Sequence, residues 1–136
     1  MKLRKQEGIE KLLFDTSASI EWLQGNRYLL EIAESVYIST ITEYELLWSA
    51  IRKGQKTEDI VWKYLEEVII IPISSDISRF AAKTQAILRS NGNQKSMADL
   101  LIASTAKVNN LKICRFDSDF TVISENMDVE LIFLRQ

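Results

Sequence analysis

The sequence predicts an α/β fold, with a parallel or mostly parallel central sheet and helices on both of its faces. Three observations carry this expectation. Strand-like and helix-like segments alternate along the whole chain, the order that parallel crossovers require. Val68-Ile69-Ile70-Ile71 is an unbroken β-branched run, as expected of a strand covered on both faces. Acids also follow strand-like runs: Asp15 closes Leu12-Leu13-Phe14, and Asp117 comes shortly after Leu111-Lys112-Ile113-Cys114. An open parallel sheet puts its binding crevice at those strand ends.

The elements read in order as follows. Residues 11–14 form a strand, and Asp15-Thr16-Ser17 offers capping oxygens to a helix continuing through Leu23. Gly25-Asn26 breaks it, a short helix runs Arg27 to Ser35, and Val36-Tyr37-Ile38-Ser39 is a second strand. Thr42 caps a helix reaching about Arg52, stopped by Lys53-Gly54. Thr57 opens the next, Glu58 to Glu66, with Val61, Trp62 and Leu65. The Val68–Ile71 strand ends at Pro72, and Ser75-Asp76 caps a long helix with Ile77, Phe80, Ala81, Thr84, Ile87 and Leu88 on one face. Asn91-Gly92-Asn93 stops it, and Ser96 caps a helix bearing Met97, Leu100, Leu101, Ala103 and Val108. Lys112 to Arg115 and Glu130 to Leu134 are the last strands, with a short helix after Asp119.

At 136 residues the chain is read as one domain spanning residues 1–136, long enough to bury about 68% of its unfolded surface. A net charge of −2 gives no broad basic footprint, which weighs against a pure nucleic-acid-binding module. It does not oppose an enzyme that meets phosphates through metal and a few cations. The absence of histidine removes the commonest general base and zinc ligand, and with it any Cys-His nucleophile pair. The lone Cys114 reads as a small buried hydrophobe and fits a reducing, cytoplasmic setting. The first residues lack the apolar core of a signal peptide, and Val68 to Ile73 is far too short to span a bilayer. Trp22, Trp48 and Trp62 lie in helical stretches, and core packing is the default reading for each.

Four acids fall where strand ends and helix starts share a rim: Asp15, Glu45, Asp99 and Asp117. Asp15 and Asp99, taken singly, are as well explained as helix caps or first-turn acids favoured by the helix dipole. As a set they would repel one another, and a hard divalent cation such as Mg²⁺ removes that conflict.

The motifs carrying these acids resemble a known family. Leu13-Phe14-Asp15-Thr16-Ser17, Ile38 to Leu47, Ala98-Asp99-Leu100-Leu101-Ile102-Ala103 and Phe116-Asp117-Ser118-Asp119-Phe120 together look like a PIN domain, closest to the VapC toxins of toxin–antitoxin pairs. The resemblance implies a PIN-like three-layer α/β/α sandwich. It implies a metal-dependent endoribonuclease whose acids hold Mg²⁺ or Mn²⁺, activating water and neutralising charge on an RNA phosphodiester. It places the four acids at Asp15, Glu45, Asp99 and Asp117, with Asp15 and Asp99 as direct ligands. Ser17 is the hydroxyl neighbour of the first acid, and Asp119 is an auxiliary or the cap of the helix after it. Glu43 points about 200° away from Glu45 on a helix; periodicity leaves the choice open, and the family's Glu-Leu step selects Glu45.

The family often has Thr or Ser where this chain has Arg115. A guanidinium there either clamps a substrate phosphate bidentately or pairs with Asp117 or Asp119. The resemblance further implies a homodimer and a VapB-type antitoxin partner whose segment lies in a groove near the first helices. Other readings are a catalytically silent PIN-like interaction module, a PIN nuclease of RNA processing without an antitoxin, and a receiver-like or phosphatase-like domain. The last would need a lysine at a late strand end, where Arg115 stands.

Overall fold

The computed structural model describes residues 11–25, 35–115 and 121–133. Five strands form one sheet: β1 (Lys11–Phe14), β2 (Ser35–Ser39), β3 (Ile69–Ile71), β4 (Lys112–Arg115) and β5 (Leu131–Phe133). Their order is β3-β2-β1-β4-β5 and each pairing is parallel. Six helices connect them: α1 (Thr16–Leu23), α2 (Thr40–Lys53), α3 (Gln55–Glu67), α4 (Ser75–Ser90), α5 (Met97–Val108) and α6 (Thr121–Met127). From β1 the sheet grows outward through β2 to β3. The chain then returns to the other side of β1 and grows the opposite way through β4 to β5. Parallel crossovers are right-handed, so reversing the direction of growth moves the helices to the opposite face.

The two cores show that reversal. On one face Leu12, Phe14, Ile38 and Cys114 pack against α1, α2 and α3 through Ala18, Trp22, Leu46, Ala50, Val61 and Leu65. On the other, Leu13 and Ile113 pack against α4, α5 and α6 through Leu88, Leu100, Ala103 and Ile123. The period-2 alternation of β1 sends Leu12 and Phe14 one way and Leu13 the other, and all three are fully buried. Burying each such side chain is worth about 1.5–3 kcal/mol. Trp22 meets Phe14 edge-on, with ring centroids 6.0 Å apart. Beneath it a buried hydrogen bond of 2.7 Å joins the Ser19 hydroxyl of α1 to the Tyr64 hydroxyl of α3.

Several expectations are corrected. Ser39, not Thr42, caps α2, its Oγ accepting from the Ile41 N–H at 3.0 Å. Strand therefore passes into helix with no loop, and Thr42 lies inside the first turn. Ser74 rather than Ser75 caps α4. The Val68–Ile71 run is an edge strand of three residues, and Ile69 is 49% exposed; continuous apolar sequence did not mean cover on both faces. Trp48 and Trp62 are 54% and 48% exposed, so only Trp22 is core. Ile87, Met97 and Val108 also face outward. The expected helix Arg27–Ser35 lies outside the described residues except for Ser35, which opens β2.

Gly54 both ends α2 and starts α3, and its backbone sits at φ 122°, ψ 173°. That region is essentially reserved for glycine. A Cβ added there would meet nothing within 4 Å, so the cost of a side chain is conformational and not steric. Gly54→Ala is expected to lower the unfolding free energy by about 1–3 kcal/mol, read from the urea midpoint. An unchanged midpoint would show that the α2–α3 junction relaxes freely.

Candidate active site

The sheet reverses its direction of growth between β1 and β4, and in an open α/β sheet ligands usually bind at the carboxyl ends of the strands where that happens. The register pairs Phe14 with Cys114, so Asp15 and Arg115 follow at the same level. The Asp15 N–H extends the ladder, donating to the Cys114 carbonyl at 3.1 Å. The β1–β2 register pairs Leu13 with Tyr37, which brings Ser39, the α2 cap, to that level too.

Asp15 is 2% exposed. It caps α1, with Oδ1 accepting from the Ala18 N–H at 2.8 Å. The Ser17 hydroxyl lies 2.7 Å from Oδ1 and 2.9 Å from Oδ2. Both the capping role and the role of Ser17 as hydroxyl neighbour are therefore present in one carboxylate. An ionised carboxylate only accepts, and both contacts are donated to it. Burial first, and then the negative charge of Asp15, push the Cys114 thiol well above its ordinary value of 9.0.

Glu45 projects from the second turn of α2 toward the same rim. The Thr16 hydroxyl, on the residue after Asp15, donates to Glu45 Oε1 at 2.6 Å. Thr16 also contacts the Thr42 hydroxyl at 3.2 Å. The first two acids of the expected set are thus joined through α1, and the contact to Thr16 is made by Glu45 and not Glu43. Thr16 and Thr42 were missed by sequence reasoning, which treated both as capping residues. A signal existed: Thr42 and Glu45 are three apart on a helix and share a face. Asp99 lies half-buried in the first turn of α5, its N–H donating to the Ser96 cap at 3.2 Å.

Arg115 is 2% exposed, and its Nη2 donates to the Thr121 hydroxyl at 3.3 Å. The guanidinium spans from the end of β4 to the first residue of α6 and offers little surface to a substrate. Asp117 and Asp119 lie outside the described residues. Among the described residues no three Asp, Glu, Cys or His side chains form a group that could hold a metal. Asp15 and Glu45 nonetheless supply hard carboxylate oxygens on one rim, a donor type that suits Mg²⁺ or Mn²⁺. Beside them a groove of about 250 Å³ runs between α1, α2 and α3, with Thr16 and Glu45 on its wall and Ile20, Leu23, Leu46 and Ile60 along it.

Residues 12–126 match the PIN domain family. The chain belongs to that family. Its fold is shared by solved structures of distant sequence. VapBC2 from Rickettsia felis, bound to a DNA fragment from their promoter, superposes with a TM-score of 0.79 at 18% identity, covering 92% of this chain and 99% of that one. VapBC-5 from Mycobacterium tuberculosis, a member of the VapBC family of toxin–antitoxin systems, gives 0.72 at 22%, covering 92% and 99%. FitAcB from Neisseria gonorrhoeae gives 0.72 at 25%, covering 90% and 96%. No curated protein sequence matches this chain significantly. Among the described residues of this PIN domain, no helix is long and apolar enough to cross a membrane.

The Cys114 thiol yields a pH prediction. Unfolded, it loses its proton near its ordinary value of 9.0; folded, it keeps it. Above that pH the folded state binds the extra proton, so stability falls as pH rises. Relative to Cys114→Ala, the wild type is expected to lose up to about 1.4 kcal/mol per pH unit on the alkaline side, measured by urea melts at stepped pH. Parallel pH profiles for the two proteins would contradict this.

Proposed function

We propose that this PIN domain is a metal-dependent endoribonuclease, the toxin of a VapBC-type pair. The observation that carries the reading is the buried Asp15 at the end of β1, linked through Thr16 to Glu45. A structural cap needs no second acid tied to it. Asp15 and Asp99 would hold Mg²⁺ or Mn²⁺ directly, with Glu45 and Asp117 completing the set and Asp119 as an auxiliary. Bound there, the cation would activate water and neutralise charge on the phosphate.

The chain's own residues would do the rest. Ser17 and the Ala18 N–H fix the orientation of the Asp15 carboxylate. Arg115, bonded to Thr121, would act as a positive charge behind the RNA phosphate and not as an exposed clamp. The apolar groove beside Glu45 would take an apolar segment of a VapB-type antitoxin. The protein would work in the cytoplasm as a homodimer.

Thermal melts with and without Mn²⁺ test the metal. A cation present at about 100 times its Kd adds about 2.7 kcal/mol to the native state, and Asp15→Asn/Asp99→Asn should abolish that gain. An equal gain in the double variant would place the metal elsewhere. Cleavage of single-stranded RNA should need Mg²⁺ or Mn²⁺ and stop in EDTA. Asp15→Ala and Asp99→Ala should each lose more than about a hundredfold, beyond what an outer partner contributes. Glu45→Gln should be far more damaging than Glu43→Gln. Metal binding without cleavage would favour the silent interaction module.

A further inference from the structure

Proton counting gives the hydroxyl contacts at Glu45 a direction. Thr16 Oγ1 lies 2.6 Å from Glu45 Oε1 and 3.2 Å from Thr42 Oγ1. A threonine hydroxyl has one proton and two lone pairs, and an ionised carboxylate only accepts. The Thr16 proton therefore goes to Glu45, and the Thr16–Thr42 contact is donated by Thr42. Thr42 is 0% exposed, so its hydroxyl cannot turn to water instead. The chain runs Thr42 to Thr16 to Glu45, from the buried face of α2 across to the first residue of α1 and back to α2.

We propose that Thr42 and Thr16 form a hydroxyl relay that holds the Glu45 carboxylate on the Asp15 rim. Thr16 is then a positioning residue of the site, and Thr42 the residue that orients it. Three features make the relay suited to this. The bond to Glu45 is short and charge-assisted, the stronger kind of hydrogen bond. Thr16 is β-branched, which restricts its side chain to few rotamers, and its contacts to Glu45 and Thr42 fix which one places the hydroxyl. Thr16 also follows Asp15 in the chain, so the residue that orients the second acid is covalently fixed to the first. Without it, Glu45 would sample its own rotamers on the wall of the groove.

The consequence for metal affinity rests on the reading proposed above; the carboxylate's position does not. The test uses purified full-length wild type, Thr16→Ser, Thr16→Val and Thr42→Val, with crystal structures, Mn²⁺ titrations and RNA cleavage kinetics. Valine keeps the shape of threonine and removes the hydroxyl; serine keeps the hydroxyl. In Thr16→Val the Glu45 carboxylate should leave its place and Mn²⁺ should bind about ten- to a hundredfold more weakly, the usual loss for an outer partner of a metal ligand. Thr16→Ser should restore both, and Thr42→Val should show a smaller loss. The kcat should fall with KM for RNA little changed. An unmoved Glu45 carboxylate in Thr16→Val, with Mn²⁺ affinity equal to Thr16→Ser, would overturn the relay. Should wild type take up no Mn²⁺, the metal reading fails by itself, and the place of Glu45 in Thr16→Val still decides: displaced supports the relay, unmoved overturns it. If Thr16→Val does not fold, Thr16→Ala against Thr16→Ser makes the same comparison.

Discussion

A carboxylate buried to 2% exposure has to be satisfied by donors from the chain, and Asp15 sets that requirement at the centre of this fold. Moving an unpaired carboxylate out of water costs several kcal/mol. The local sequence meets the demand within three residues. The Ala18 N–H and the Ser17 hydroxyl both reach the side chain, while the Asp15 backbone N–H continues the β1–β4 ladder. The end of the strand, the start of α1 and the place of the acid are therefore one structural event. Moving the acid by one residue would lose the cap, because the backbone N–H that extends the ladder and the side chain that caps α1 belong to the same position.

The sheet order does for the other elements what the cap does for α1. Because β1 is flanked by β2 and β4, its carboxyl end is level with Ser39 on one side and Arg115 on the other. Ser39 starts α2 without a loop, so Glu45 comes in its second turn, within reach of Thr16. The two faces are covered separately, with α1, α2 and α3 on one and α4, α5 and α6 on the other. The two faces are packed independently, and the carboxyl ends of β1 and β4 lie between them.

Much of this was legible in the sequence, for identifiable reasons. A strand end followed by capping oxygens marks β1 and the start of α1. Asp15 and Asp99 could be placed at helix starts by capping chemistry. Glu45 over Glu43 could not be chosen by periodicity, and the match of its Glu-Leu step to relatives chose it. What was illegible depends on neighbours distant in the chain. Nothing in Val68–Ile71 says that it ends as an edge strand. Trp48 looks like a core residue by type, yet it lies on the outer side of α2 under the Arg52 guanidinium, 5.6 Å from its ring centre. Thr16 and Thr42 are ordinary helix-start residues until α1 and α2 are set side by side.

The central proposal is that the Asp15 rim gathers its carboxylates to hold a hard cation. Anomalous diffraction from crystals soaked in Mn²⁺ tests it most directly. The expected result is a peak bonded to an Asp15 oxygen at about 2 Å, the length of a hard-cation bond, with Asp99, Glu45 and Asp117 closing round it directly or through water. A peak bonded away from this rim, or no peak at Mn²⁺ concentrations that saturate the protein in solution, would contradict it.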